Sequence, residues 1–339
     1  MADKRIKDML INSGLVLIAI LAFVFTAELC ARIFYPRLAD YNMEMWRYAA
    51  YGKIPGNSAR LSHKHRPGAS FRNLYGVSVD INSKGLRDRE YEYAKPSGCR
   101  RILAIGDSIT FGWGVDADQT YPKLLEEKLN LRKDPWTWQV INAGVGNYQI
   151  ADELEFLKAE GLKYDPDIIV LGYFIDDAKI NPRIQPCFLK AHSYLYGFIT
   201  AHINNILVRW NDNMHFYNYY QGLYAPGSGS RKNFERCAAE LKKIAADKNI
   251  PVFVALIPEL HRLDGYPFQN IHDYVSQQFS GQPKIKILDL LPYFDKAVPP
   301  EKYWVSKEDQ HHNAMAQRII MEAIYPEVSV IREEARPGI

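Results

Sequence analysis

The 339-residue sequence lacks most of the features that mark specialised classes of protein. Its four cysteines are too few for a disulfide scaffold, and no two have the C-x-x-C spacing of a zinc or redox site. Neither sign of charge dominates, because 42 Lys and Arg stand against 39 Asp and Glu. Nucleic-acid binding needs a concentrated basic surface, so we expect no nucleic acid as a partner. Fixed-period repeats and low-complexity tracts are absent, and the 47% hydrophobic content is typical of globular proteins.

The first segment with a clear prediction is the uncharged run of residues 9–27. At ~1.5 Å per residue, a helix of this length covers roughly 28 Å, which is about the thickness of the hydrocarbon core of a bilayer. Lys4, Arg5 and Lys7 precede the run and favour a cytoplasmic N-terminus. Residues 1–36 therefore predict a cytoplasmic tip and a single-pass membrane anchor, with the rest of the chain periplasmic or extracellular.

A cleaved signal peptide is the alternative interpretation of this segment. The residues before Cys30 match a lipoprotein cleavage site poorly, because Glu28 and its neighbour are not small. An uncleaved anchor is therefore favoured. Outside the cytoplasm, Cys99, Cys187 and Cys237 would lie where disulfides persist, and a Cys187–Cys237 pair is possible.

Residues 37–100 form a second segment, which is rich in Tyr, Arg, Gly and Asn and has no long helical period. Within it, residues 71–87 alternate apolar and polar side chains, as a strand does. We interpret the segment as a lead-in region with short strands that packs on the main domain.

From residue 101 onward, short apolar runs alternate with helical patterns. The predicted strands are 101–106, 138–143, 167–174, 251–257 and 285–290, and the predicted helices are 119–130, 149–162, 231–247 and 312–325. Strands that are apolar throughout and separated by helices indicate a parallel sheet covered on both faces. Ligands bind at the carboxyl ends of such strands, so the residues after each strand are the first candidates for chemistry.

A segment around 180–230 interrupts this alternation. Residues 193–210 predict an added amphipathic helix, whereas residues 214–230 are aromatic and end in a Gly/Ser stretch that we expect to be flexible. Two interpretations stay open: a lid or wall of a substrate cleft, and an insertion that merely packs on the surface.

A candidate nucleophile follows the first predicted strand, in the run GDSIT of residues 106–110. A strand-to-helix turn there would expose the hydroxyl of Ser108 at the edge of the sheet. The amide of Ser108 would lie at a helix N-terminus, where unpaired N–H groups can stabilise an oxyanion. The alternative is that Asp107 or Ser108 only caps the helix.

The run EDQHHNA, residues 308–314, precedes the last predicted helix and supplies the other groups that a nucleophilic serine needs. These are a base and a carboxylate that fixes the tautomer of the base. Asp309 or Glu308 lies within one turn of His311 or His312, although a capping acid beside two surface histidines would have the same sequence. Adjacent histidines at a helix start do not face one site, so we expect no metal and no cofactor.

Together these runs resemble the GDSL/SGNH hydrolase superfamily, over roughly residues 101–326. The resemblance implies an α/β, flavodoxin-like three-layer sandwich with a central parallel sheet of about five strands, here preceded by one transmembrane helix. Residues 101–330 would form the hydrolase domain. It also implies Ser108 as nucleophile, His311 as base and Asp309 as the partner of the base, with His312 as the alternative base.

Two further blocks of the family have counterparts in the chain. The block after the second strand is similar to INAGVGNY, residues 141–148, where the amide of Asn147 would join that of Ser108 in the oxyanion hole. The family's G-x-N-D block is similar to GYFIDDA, residues 172–178, but Asp176 stands in place of the Asn. An Asn side chain donates to the oxyanion, whereas an ionised Asp repels it, so Asp176 can contribute only when protonated.

The resemblance implies a serine esterase with a Ser-His-Asp acyl-enzyme mechanism. Its substrate would be an acylated small molecule or glycan, such as an O-acetyl ester of an envelope polysaccharide. One alternative is an O-acyltransferase that uses the same site with a polysaccharide hydroxyl as acceptor. The other is a non-catalytic module that binds a glycan or a membrane-protein partner, which Asp176 favours and Ser108 with the Asp309–His311 element disfavours.

Overall fold

The computed structural model describes residues 2–132, 134–185, 187–209 and 213–330. By its internal contacts the chain divides into two units, Met1–Tyr51 with Pro186–Asn211 and Gly52–Gln185 with Asp212–Ile339. The sequence-based limits at residues 36 and 100 stay a prediction about domains.

Helices and strands are distributed along the whole of the described chain, and four helices in succession separate β7 from β8. The helices are α1 (Ala2–Leu38), α2 (Tyr41–Gly52), α3 (Ser108–Phe111), α4 (Tyr121–Asn130), α5 (Ile150–Ala159), α6 (Phe188–His192), α7 (Tyr194–Arg209), α8 (Asn213–Leu223), α9 (Gly229–Lys248), α10 (Gln269–Phe279) and α11 (Ala314–Ser329). The strands are β1 (Lys53–Pro55), β2 (His63–His65), β3 (Ser70–Leu74), β4 (Val77–Asp80), β5 (Cys99–Gly106), β6 (Thr137–Gly144), β7 (Ile168–Phe174), β8 (Val252–Ile257), β9 (Ile285–Asp289), β10 (Trp304–Ser306) and β11 (Asp309–His312).

A parallel sheet of five strands, in the order β6-β5-β7-β8-β9, forms the centre of the second unit. Every residue of β5 and β8 is buried, as expected for central strands of a parallel sheet that is covered on both faces. Helix α4 packs with α11, and α9 packs with α5 and α10, so helices form the outer layers. The sequence-based prediction of a three-layer α/β fold with about five parallel strands is confirmed.

Three glycines bring the carboxyl ends of neighbouring strands close to helix α3. Gly106 at the end of β5 lies opposite Gly144 of β6 and Gly172 of β7. A Cβ on Gly144 would lie 2.2 Å from the backbone nitrogen of Phe111, and one on Gly172 would lie 2.6 Å from Oγ1 of Thr110. Helix α3 therefore packs directly on the ends of three strands, which no larger residue at these positions would allow.

Several local predictions are wrong. The strand-like alternation of residues 71–87 ends early, because the strands β3 and β4 form a hairpin over residues 70–80 and residues 81–87 are not strand; Tyr75 and Gly76 have positive φ and turn the chain between the two strands. The expected flexible stretch near residue 230 is instead the start of α9, since the side chain of Ser228 accepts a hydrogen bond from the amide of Arg231 and caps the helix.

The last predicted helix and the possible disulfide also differ from expectation. Residues 309–312 are a strand that pairs with β10, and α11 begins only at Ala314, where Asn313 caps it. The candidate histidines therefore lie in a hairpin and not at a helix start. The Cys187–Cys237 bond is not formed, because all four cysteines are free thiols.

The first unit contains the one helix of the described residues that is long and apolar enough to cross a membrane. It spans Lys4–Arg37, and its most apolar window of 18 residues has a mean hydropathy of 2.4 and is not buried in the protein. Beyond the apolar part, Glu28 accepts hydrogen bonds from the Ser193 hydroxyl and from the amides of Tyr194 and Leu195. Glu28 thus caps α7, which is the helix predicted for residues 193–210.

Candidate active site

Ser108 lies at the edge of the sheet where the sequence places it. Strand β5 ends at Gly106, Asp107 caps α3 by accepting a hydrogen bond from the Ile109 amide at 2.8 Å, and Ser108 is the first residue of this four-residue helix. The side chain of Ser108 is half-buried. Helix capping and a serine hydroxyl at the sheet edge are alternatives in the sequence, but the structure has both. Asp107 caps the helix, and Ser108 carries the hydroxyl.

Hydrogen bonds join Ser108, His311 and Asp309 in that order. Oγ of Ser108 lies 2.9 Å from Nε2 of His311, and Nδ1 of His311 lies 2.5 Å from Oδ1 of Asp309. The same Oδ1 accepts the backbone N–H of His311 at 3.1 Å. Because a carboxylate only accepts, Nδ1 of neutral His311 carries the proton and Nε2 presents its lone pair to the serine hydroxyl.

Opposing effects set the pKa of His311. Burial lowers it, but the charge and hydrogen bond of Asp309 and the charge of Asp107 outweigh burial and raise the pKa above its usual value. Burial raises the pKa of Asp107 itself to about 6, against the lowering effect of the Ile109 amide and of His311. His311 is therefore a stronger base than a free imidazole.

His312, the alternative base, lies elsewhere in the hairpin. It is 3% exposed and its ring packs edge-on against Phe294, with centroids 6.0 Å apart. Burial, together with the charge of His311, lowers its pKa to about 3. Ser108 is thus hydrogen-bonded to His311 and not to His312.

Trp113 is a site residue that the sequence reasoning missed. Its indole Nε1–H donates to Oδ2 of Asp309 at 2.8 Å, and its ring stacks on Tyr75 with centroids 6.1 Å apart. The sequence signal for this residue is that Gly112 and Gly114 flank it. In the structure both glycines have positive φ. The carboxylate of Asp309 is therefore held through both oxygens, one by His311 and one by Trp113.

Arg87 also holds the loop that follows Ser108. Its guanidinium donates to the carbonyl oxygens of Phe111, Gly112 and Val115, at 3.1, 2.5 and 2.7 Å. Arg87 is 2% exposed, so these bonds replace the water that a buried guanidinium loses. The turn that carries Trp113 is fixed by a residue outside the sheet.

The amide of Asn147 lies in the turn after β6, next to the Ser108 turn. The amide of Val145 donates to the carbonyl oxygen of Gly106 at 3.0 Å, so the parallel pairing continues just past the glycines. Asn147 is exposed, has φ +64°, and donates no backbone hydrogen bond to any described residue. Its amide is available to a ligand, and so is that of Ser108 at the start of α3.

Asp176 lies in the turn Ile175–Ala178 that directly follows β7. The hydroxyl of Tyr219 donates to Oδ1 of Asp176 at 2.6 Å. Burial and then the charge of Asp176 raise the pKa of Tyr219, so the phenol stays a donor. Asp176 is thus an acceptor at the sheet edge, which is the opposite of the family's Asn.

The arrangement of hydroxyl, imidazole and carboxylate beside free amides is that of a serine hydrolase. Within the described residues, no group of three or more His, Cys, Asp or Glu could hold a metal ion. A family model, GDSL-like lipase/acylhydrolase, matches residues 104–324. The chain belongs to this family and is an ester hydrolase.

The chain is also similar, at low identity, to several solved structures. The chain is similar to an acetyl xylan esterase at 18% identity over 67% of this chain and 99% of that one, with TM-score 0.45. It is similar to an acetylxylan esterase from Geobacillus stearothermophilus at 12% identity over 68% and 94%, with TM-score 0.43. A lipase/acylhydrolase from Enterococcus faecalis has 16% identity over 70% and 100%, with TM-score 0.41. No curated protein matches the sequence.

The bond from Trp113 to Asp309 gives a test of this geometry. Trp113→Phe keeps a large ring but removes the N–H, and we expect kcat/KM for an ester to fall roughly tenfold or more. Because the raised pKa of His311 depends on the contact with Asp309, the acid limb of the pH–kcat/KM profile should move to lower pH.

Trp138→Phe is the matched control, because the indole N–H of Trp138 is buried with no hydrogen-bond partner. This variant should leave the rate and the acid limb unchanged. A Trp113→Phe enzyme with the wild-type profile would show that the indole does not position the carboxylate.

Proposed function

We propose that the protein hydrolyses short acyl esters through an acyl-enzyme on Ser108. The observation that carries this proposal is the hydrogen-bonded series from Oγ of Ser108 through His311 to Asp309. Membership of the acylhydrolase family supports the same reaction class. The roles of the residues follow from which atoms donate and accept.

In the first half-reaction, Nε2 of His311 takes the proton of Ser108 while Oγ attacks the ester carbonyl carbon. The amides of Ser108 and Asn147 donate to the negative oxygen that forms. The protonated His311 then gives its proton to the leaving alcohol oxygen, and the acyl-enzyme remains. In the second half-reaction, water gives a proton to His311 and attacks the acyl carbon. His311 then returns this proton to Oγ of Ser108 as the bond from Oγ to the acyl carbon breaks, which releases the carboxylic acid and restores the serine hydroxyl.

The direct test compares wild type, Ser108→Ala and the control Ser280→Ala on p-nitrophenyl acetate. Ser108→Ala should lose ~10³-fold or more of kcat, because it lacks the nucleophile. Ser280→Ala changes an exposed serine and should behave as wild type. A fluorophosphonate probe should label wild type and Ser280→Ala but not Ser108→Ala. Equal rates for all three proteins, or an unlabelled and inactive wild type, would contradict the mechanism; the latter would favour a non-catalytic module.

Acyl transfer to a sugar hydroxyl is a second candidate function, and Asp176 is the observation that favours it. An acceptor at the edge of the sheet can hold the hydroxyl of an incoming sugar, which water hydrolysis does not require. Tyr219 fixes the orientation of Asp176 through Oδ1. The same acyl-enzyme would then pass its acyl group to the sugar oxygen in place of water.

Asp176→Asn separates the two functions. Asn can accept the Tyr219 hydroxyl through Oδ1 and offer Nδ2 as a donor to the oxyanion, so hydrolytic kcat should rise, by up to ~10²-fold. The control Asp118→Asn removes one exposed carboxylate elsewhere and should change little. Lower kcat in Asp176→Asn, together with loss of acyl transfer to an added oligosaccharide, would contradict the rise and assign Asp176 to the acceptor.

The proposed setting is the outer face of a membrane, with the substrate on an envelope glycan. Helix α1 continues without a break past residue 30, and Glu28 caps α7, so no extended segment is present for a signal peptidase. The basic residues before the span support a cytoplasmic N-terminus.

Alkaline phosphatase fused after Ile339 should be active, and the same reporter fused after Asp8 should be inactive. Carbonate-washed membranes should retain the full chain, because residues 9–27 span the bilayer. Release into the wash would show cleavage, and an inactive C-terminal fusion would reverse the topology.

A further inference from the structure

The hairpin of β1 and β2 contacts the turn that carries Asn147. Nζ of Lys53 donates to the carbonyl oxygen of Gly146 at 2.5 Å, and Nε2 of His63 lies 3.0 Å from the same oxygen. Lys53 is 7% exposed and His63 is 1% exposed. Two buried side chains from the region before the sheet therefore meet on one backbone carbonyl at the active-site edge.

The tautomer of His63 follows from its partners. A carbonyl oxygen only accepts, so Nε2 of His63 carries the proton and donates it to Gly146. Nδ1 then accepts from the hydroxyl of Ser62 at 2.8 Å. The amide of Ser62 in turn donates to Oδ1 of Asp152 at 2.7 Å, which ties the hairpin to α5. The imidazole is thus held in one orientation.

The carbonyl of Gly146 and the N–H of Asn147 belong to the same peptide group. A donor on the carbonyl oxygen draws electron density from the amide, and this strengthens the N–H as a hydrogen-bond donor. The bond from Lys53 is charge-assisted and is the stronger of the two. On the other side of Asn147, its own carbonyl accepts from Nδ2 of Asn181 at 2.6 Å, so both flanking peptide groups are fixed.

We propose that Lys53 and His63 are positioning residues that polarise and orient the Asn147 amide as a donor to the oxyanion. The inference rests on the proposed function, in which that amide binds the negative oxygen. Both side chains act through the peptide group and touch no substrate. Their effect should be largest where the negative charge is largest, in the transition state, and small in the bound ester.

The kinetic test compares Lys53→Met with Lys64→Met on p-nitrophenyl acetate. Lys64 lies in the same hairpin beside His63 but is paired with Ile54 and is half-buried, so this control loses the same charge without the contact. We expect kcat of Lys53→Met to fall about tenfold with KM nearly unchanged, because one donor is weakened and not removed. Lys53→Arg keeps a charged donor and should retain most of the turnover.

A second measurement follows the chemical shifts of the Gly146–Asn147 peptide group and does not depend on catalysis. The sequence has two Gly-Asn bonds, Gly56–Asn57 and Gly146–Asn147, so the full chain in detergent, labelled with ¹³C′-Gly and ¹⁵N-Asn, gives two selected signals. Asn57→Ser assigns them. Lys53→Met should move the Gly146 carbonyl carbon and the Asn147 amide proton upfield, and Lys64→Met should not. The Gly56 signal reports whether each variant is folded.

The outcomes separate this inference from the proposed function. An active wild type with unchanged kcat in Lys53→Met overturns the inference and leaves the esterase mechanism in place. An unmoved Gly146–Asn147 signal overturns it as well. A wild type without any esterase activity overturns both the inference and the proposed function. If Lys53→Met does not fold, His63→Phe is the second variant, because it keeps a ring and removes the second donor. We then expect kcat to fall about threefold, with the same upfield shift of the Gly146–Asn147 signal. If neither kcat nor this signal changes, the inference is overturned.

Discussion

The register of three parallel strands is the constraint on which the active site depends. Gly106, Gly144 and Gly172 lie level with one another; β5 and β6 end at this level, and β7 continues for two more residues to Phe174. A slip by one residue would turn each side chain to the other face of the sheet. Because the ladder forbids such a slip, the turns after β5, β6 and β7, which carry Ser108, Asn147 and Asp176, lie at the same edge of the sheet.

The base and its carboxylate do not belong to that sheet, and side chains must hold them there. Strand β11 pairs with β10 in a separate two-stranded sheet. A hydrogen bond of 2.6 Å between the hydroxyls of Ser306 in β10 and Tyr75 holds this sheet in place. Trp113 adds the bond to Asp309 from the loop after the nucleophile. The backbone thus orders the proposed nucleophile and the proposed oxyanion amide, whereas packing and side-chain hydrogen bonds order the proposed base.

This difference explains what could be predicted from the sequence. The five strands each contain a short apolar run, and the runs around Ser108 and His311 are recognisable as short motifs, so both the sheet and the candidate triad have local signals. Strand β11 has no such signal, because four polar residues become a strand only by pairing with β10. Trp113 and Asp309 are 196 positions apart in the sequence, and Lys53 and Gly146 are 93 positions apart. No periodic pattern encodes such contacts.

The hydrogen bonds from Arg87 to the loop after α3 limit how far the chain can be shortened from its N-terminus. The family match begins at residue 104, and a domain excised there would keep Ser108, Asp309 and His311. It would lose the guanidinium and leave the carbonyl groups of Phe111, Gly112 and Val115 without their donor. A shortened chain therefore has to keep Arg87, and a cut just before Gly52, where the compact unit begins, keeps it while removing the apolar helix α1.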